Sequence, residues 1–138
     1  MTFDDIFYKA AEAVGLSVVY CTMRGANVVL DSVHKYPAVV RPFEEPAKLD
    51  ESTAPTWERS SLLYFMQPAP DPEGETVESV MPTVNEMRGV AVEFARALRS
   101  YGVEVTLGDF ANTLSRFDAL EAGVSVSMTF KYRECCCD

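Results

Sequence analysis

Residues 80–101 decide the fold, and they read VMPTVNEMRGVAVEFARALRSY. Apolar residues recur here at alternating steps of four and three, the spacing of one helical face: Val80, Val84, Met87, Ala91, Phe94, Leu98 and Tyr101. Polar and charged side chains occupy the positions between them. Ser79 is a suitable N-cap, and Gly102 is a typical stop signal. Pro82 then falls in the first turn, where an amide proton has no partner within the helix.

This long helix needs a layer to pack against. At about 1.5 Å per residue it spans about 33 Å, which is enough to cross a small sheet. A short apolar stripe of this kind is more typical of core packing than of a coiled-coil seam. The sequence therefore predicts a sheet beneath the helix.

The clearest strand follows the helix. Apolar residues alternate there with Ser, Thr, Lys and Arg, which predicts one buried and one wet face: Val124, Val126, Met128, Phe130 and Tyr132. Apolar and polar residues alternate in the same way over residues 103–107. Gly108-Asp109 interrupts this strand pattern, and residues 114–117 continue it. Residues 118–123 are the expected turn, so the last third of the chain is predicted to be an antiparallel hairpin.

The first half of the chain adds a short helix and three strands. Thr2 is a good N-cap for an amphipathic helix that ends at Gly15. Residues 16–22, 38–43 and 57–67 have strand character, and apolar residues on both faces of 57–67 indicate a central strand. Residues 26–35 fit either a helical turn or an irregular edge. The fold class is therefore α+β, with an antiparallel or mixed sheet of about four or five strands packed against one long helix and one short N-terminal helix.

Composition indicates one domain spanning residues 1–138. The chain has 48% hydrophobic and 24% charged residues, which is ordinary globular usage. We expect an acidic, proline-bearing loop at 44–56, a stiff linker at 68–76 and a frayed tail at 133–138. No apolar run is long enough to span a membrane, and the acidic start does not resemble a signal peptide, so we expect synthesis in the cytoplasm.

Charge bears on the kind of partner. The net charge is −9, and residues 44–80 alone hold nine acidic and two basic residues. Such a balance disfavours nucleic acid and anionic membranes as partners. The acidic stretch is either a solvated loop or a surface that meets a basic partner.

No motif for catalysis or metal binding is found. The seven glycines form no phosphate-binding loop, and no serine lies in a nucleophile elbow. His34 is the only histidine, and we interpret it as a surface or hydrogen-bonded residue. Cys21 lies in an apolar strand, and the consecutive Cys135, Cys136 and Cys137 do not have zinc-ligand spacing. We therefore expect a non-enzyme without a metal or cofactor, and with a tail of reactive thiols.

The order of elements resembles small phage and prophage proteins of the tail-completion (tail-terminator) or head–tail joining kind. The short N-terminal helix, the strand led by Tyr36-Pro37, the 57–67 strand, the long helix and the closing hairpin through 117–124 carry this resemblance. It covers most of the chain and implies no catalytic residues. The acidic proline loop and the cysteine tail depart from the pattern.

The resemblance implies a structural subunit that closes into a ring with copies of itself and joins other virion proteins, so that it would end up in the virion. Charge segregation suggests contact surfaces in the acidic segment 44–51, the linker and the exposed arginines of the long helix: Glu44, Glu45, Asp50, Glu51, Arg88, Arg96 and Arg99. Two alternatives remain open. One is a monomeric adaptor that binds a basic partner through the acidic loop. The other is a ligand-binding or enzymatic domain with a pocket between the long helix and the sheet.

Overall fold

The computed structural model describes residues 1–22, 36–52, 54–68, 76–116 and 120–133. The elements follow in the order α1 (Phe3–Ala13), β1 (Ser17–Cys21), β2 (Ala38–Pro42), β3 (Ala47–Asp50), β4 (Thr56–Pro68), α2 (Val77–Ser100), β5 (Glu104–Arg116) and β6 (Leu120–Arg133). One six-stranded sheet has the order β1-β2-β4-β6-β5, and β3 also pairs with β4. The β1–β2 pair is parallel and the others are antiparallel. The predicted α+β class with a mixed sheet is confirmed.

Both helices pack on the same face of the sheet. The buried core joins the apolar sides of α1 and α2 to alternate residues of the strands, among them Val39, Leu63, Phe65, Val126 and Phe130. Paired residues in neighbouring strands point to the same face, and Leu63 pairs with Val126. The opposite face carries Leu62, Ser127 and Thr129, and in the described part of the chain a small buried cluster forms at its β1–β2 end.

The helix boundaries follow from capping chemistry. Thr2 caps α1 as predicted, because its hydroxyl accepts from the Asp5 amide while the Asp5 carboxylate accepts from the Thr2 amide. The predicted start of α2 at Ser79 is wrong. Thr76 is the N-cap, and Ser79 closes the reciprocal capping box from the third position of the helix. Pro82 therefore lies beyond the first turn, whereas Gly102 ends the helix as predicted, with a φ of +89°.

The predicted acidic loop at 44–56 contains a strand, β3, which pairs with the first residues of β4. All four of its side chains are exposed, so the strand carries no hydrophobic alternation. Backbone pairing to β4 makes it a strand, and a side-chain pattern cannot indicate that. The loop prediction was wrong at these four residues.

The closing hairpin is longer than its pattern indicated. β5 runs continuously through the Gly108-Asp109 interruption, where the register with β6 shifts by one residue in a bulge. β6 begins at Leu120, so Glu121, Ala122 and Gly123 belong to the strand and not to the predicted turn. Gly123 is required there, because a Cβ atom at this position would lie 1.8 Å from the Phe65 carbonyl oxygen.

Several predictions fall outside the described residues. They concern the ambiguous segment from residue 26 to 35 with His34, most of the linker (residues 69–75), and the cysteine tail from residue 134 to 138. Cys21 ends β1, but its side chain also lies outside the described part of the structure.

Candidate interaction surfaces

A buried ion network connects α1 to the sheet. The side chain of Arg41 on β2 has no exposed surface; its Nη1 lies 2.9 Å from Asp4 Oδ1, and its Nη2 lies 2.9 Å from Glu45 Oε1. The guanidinium carbon is 4.6 Å from the ring centre of Phe7 and 4.2 Å from that of Tyr20. Burial lowers the pKa of Arg41, but the hydrogen bond and charge of Glu45, followed by those of Asp4, outweigh it, so the pKa is raised.

A local change in strand register turns Glu45 inward. Val40 pairs with Tyr64 and Ala47 pairs with Arg59, so residues 41–46 lie opposite residues 60–63 and two residues are extra. Within this bulge Glu45 is 1% exposed at its side chain, and Arg59 Nη1 lies 3.6 Å from its Oε1. The other oxygen of Glu45 is buried without a hydrogen bond to the described residues.

The acidic contact residues expected from the sequence do not form one surface. Glu44, Asp50 and Glu51 are exposed, as the hypothesis requires. Glu45 is buried in the Arg41 network, so it is not part of an exposed acidic surface. Hydrogen bonds from the Ser52 amide and hydroxyl lower the pKa of Asp50, which remains a carboxylate at neutral pH.

The arginines of α2 are exposed but already bonded within the chain. Arg96 pairs with Glu93 one helical turn away, at 2.6 Å. Arg88 donates to the Asn112 side chain on β5 at 2.8 Å, and Arg99 donates to the Val105 carbonyl at 3.0 Å. The sequence placed these three residues on a polar helix surface; their contacts place Arg88 and Arg99 beside β5.

An open cleft of about 920 Å³ lies where the start of α1 meets the end of α2 and the ends of β4 and β6. Its walls carry the stacked rings of Phe3 and Tyr132, whose centres are 4.5 Å apart. Charges of both signs line it: Asp4, Arg59, Glu104, Lys131 and Arg133. This cleft is the closest counterpart of the pocket considered from the sequence, although it lies at the end of the helix–sheet interface.

Glu121 is a second buried acid, at the start of β6. Its side chain accepts a hydrogen bond from the Tyr36 hydroxyl at 3.2 Å, and its other oxygen has no hydrogen bond to the described residues. Burial raises the pKa of Glu121, although the Tyr36 hydrogen bond opposes that shift. The sequence placed this residue in a turn, so its burial was not anticipated.

The described residues contain no cluster of three or more His, Cys, Asp and Glu side chains that could hold a metal ion. In the same part of the chain, no helix is both long enough and apolar enough to cross a membrane. Among the described residues, ion pairs connect Asp4, Glu45, Arg41 and Arg59, and the side chains of Arg41 and Glu45 are shielded from solvent.

No protein-family model matches the chain, and no curated protein shows a significant match to it.

Proposed function

We propose that the chain is a non-enzymatic structural subunit that assembles with copies of itself, as a tail-completion or head–tail joining protein of a phage or prophage does. The observation that carries the proposal is the one-sided architecture. Both helices of the described residues cover the same face of the sheet, while the middle of the other face carries the exposed Leu62 and Ser127. A layered fold usually buries its sheet, so a face that the described residues leave uncovered is a natural contact surface.

The rest of the molecule is consistent with this function. The exposed acids Glu44, Asp50 and Glu51 give the β3 side of the molecule a charged surface. The buried Arg41 network fixes α1 to the sheet, so a rigid body is available for repeated contacts. Subunits that contact one another through two different patches close into rings when the rotation between neighbours allows it.

Electron microscopy of the purified, reduced protein tests this proposal. Reducing agent is needed because the sequence has four cysteines that can form adventitious disulfides. We expect closed particles of uniform diameter with a central opening. Particles no larger than one chain, at every concentration and salt level, would favour the two alternatives.

The open cleft beside α1 favours ligand binding as a second candidate function. Its mixed charges and its aromatic wall can contact a small polar ligand. A thermal-shift screen against small anions, nucleotides and sugars separates this function from assembly. A saturable shift that is lost in the Arg59→Gln variant would favour the cleft. An adaptor would instead bind a basic partner as a monomer, through Asp50 and Glu51.

A further inference from the structure

β5 has an edge that lacks the usual protection against strand pairing. Among the described residues it pairs with β6 alone, and it closes one end of the sheet. Its first half carries Glu104, the bulge and Asp109, which are common devices for blocking an edge. The segment from Phe110 to Ser115 has no charge, proline or bulge. An edge of that kind is a template for another strand.

Leu114 adds an apolar contact to this edge. Its side chain is 47% exposed although its pairing partner, Ala122, is fully buried. Beside it on β5, Ala111 and Asn112 are also exposed, and Arg88 holds the Asn112 side chain. A strand added along Phe110–Ser115 would therefore gain backbone hydrogen bonds and would cover Leu114.

We propose that the Phe110–Ser115 edge of β5 pairs with β1 of a second copy of this chain. This inference rests on the proposed self-assembly and adds an edge contact to the uncovered sheet face. Among the described residues, β1 closes the opposite end of the sheet, and its residues Ser17–Cys21 carry no charge. Because the two edges differ and lie at opposite ends, the contact is head-to-tail and can repeat around a ring.

Charge favours β1 over β3, which is another edge strand in the described part of the sheet. β3 is short, contains Lys48 and Asp50, and is followed by Glu51. In a chain of net charge −9, pairing through an uncharged edge avoids repulsion between neighbouring copies. The five residues of β1 span about 17 Å, which is close in length to the uncharged segment Phe110–Ser115 of β5.

A matched pair of lysine variants tests this surface in the full-length, reduced protein. Leu114→Lys places a charge on the β5 edge, whereas Tyr8→Lys places the same charge on the exposed side of α1. Both residues are 47% exposed, so the two substitutions are matched in exposure. Mass photometry measures the fraction of assembled chains across a dilution series. We expect Leu114→Lys to raise the concentration for half assembly by at least about ten-fold, and Tyr8→Lys to leave it unchanged.

Ala111→Lys is a second edge variant, used if Leu114→Lys fails to fold by circular dichroism. Hydrogen exchange on the wild type then locates the partner strand, and we expect slower exchange in both 110–115 and 17–21 on assembly. If Leu114→Lys and Ala111→Lys both assemble normally, or if only Tyr8→Lys dissociates, the β5 surface is overturned while self-assembly stands. Protection confined to β5 overturns the pairing with β1. A wild type that stays monomeric overturns this inference and the proposed assembly together.

Discussion

Arg41 joins the first turn of α1 to the sheet, because its guanidinium contacts Asp4 on the helix and Glu45 beyond β2. The aromatic rings of Phe3, Phe7 and Tyr20 surround the same group. A guanidinium with this many contacts is costly to replace, and Glu45 depends on it for charge compensation.

Removing Arg41 alone should therefore destabilise the fold strongly. Arg41→Met keeps an apolar side chain in the cage but leaves the buried Glu45 with only Arg59, at 3.6 Å. We expect a loss of about 3–5 kcal/mol in the free energy of unfolding. The double variant Arg41→Met/Glu45→Gln should lose clearly less than the sum of the single variants, as measured by urea denaturation. Strictly additive losses would show that the two charges do not depend on each other.

Glu121 should make stability depend on pH. Burial raises its pKa in the folded state, so folding becomes less favourable as pH rises from the unfolded pKa through the folded one. Glu121→Gln removes this cost and keeps an acceptor for Tyr36. We expect the variant to gain stability over the wild type at pH 8 and to gain less at pH 4. The exposed Glu86→Gln serves as the control. An equal gain at both pH values would exclude deprotonation as the cause.

The buried acids also mark where sequence reasoning could not succeed at the residue scale. Arg41 is the single charged residue in the strand sequence AVVRP, and this charge is the one sign in the sequence that the residue could have a special role. Its partners lie 37 residues before it and four residues after it, and a two-residue bulge brings Glu45 inward. No periodicity in the sequence encodes that bulge. Glu45 was therefore grouped with the exposed acids Glu44, Asp50 and Glu51.

At the scale of elements, α2 contains a proline that disfavours a helix, and the packing of the helix outweighs this effect. Pro82 is the sixth residue of the helix, so it removes the amide that would bond to the Glu78 carbonyl. Seven buried residues of the helix hold it against the sheet and α1: Val80, Val84, Met87, Ala91, Phe94, Ala95 and Leu98. This burial explains how an interior proline is accommodated.

Replacing Pro82 with alanine should stabilise the protein. The exposed site has room for alanine, and the substitution restores an amide donor in the helix. We expect a gain of about 1–3 kcal/mol in the free energy of unfolding, measured by chemical denaturation. Glu86→Ala, at another exposed position of α2, should change stability by less than about 0.5 kcal/mol. A loss of stability in Pro82→Ala would mean that the proline fixes the start of the helix.

Elements with a buried face were predictable from their periods, and elements without one were not. The apolar stripe of α2 from Val80 to Leu98 and the alternation along β6 each indicated the element and its buried side correctly. The prediction of Tyr101 as the last residue of the stripe is wrong, because Tyr101 caps the helix and is 40% exposed. β3 has four exposed residues and exists only through its pairing with β4, so no pattern revealed it. The α2 start was misplaced because Thr76 and Ser79 both have capping chemistry, and the reciprocal pair decides which one is the cap.

At the scale of the whole molecule, the arrangement is asymmetric in two respects. Among the described residues, the helices cover one face of the sheet, and the sheet ends in two uncharged edge segments, on β1 and at Phe110–Ser115 of β5. The acidic residues contribute to a net charge of −9 that disfavours random association. These features together support a subunit that meets its own copies in one defined orientation.

The solution mass of the wild-type protein tests self-assembly most directly. Native mass spectrometry and light scattering should be run on reduced protein across a concentration and salt series. We expect one discrete oligomer of several chains, in equilibrium with the monomer and favoured by higher salt, because salt screens the repulsion between copies of net charge −9. A strict monomer at every concentration, or a broad unlimited series of aggregates, would contradict assembly of the free protein into a closed ring.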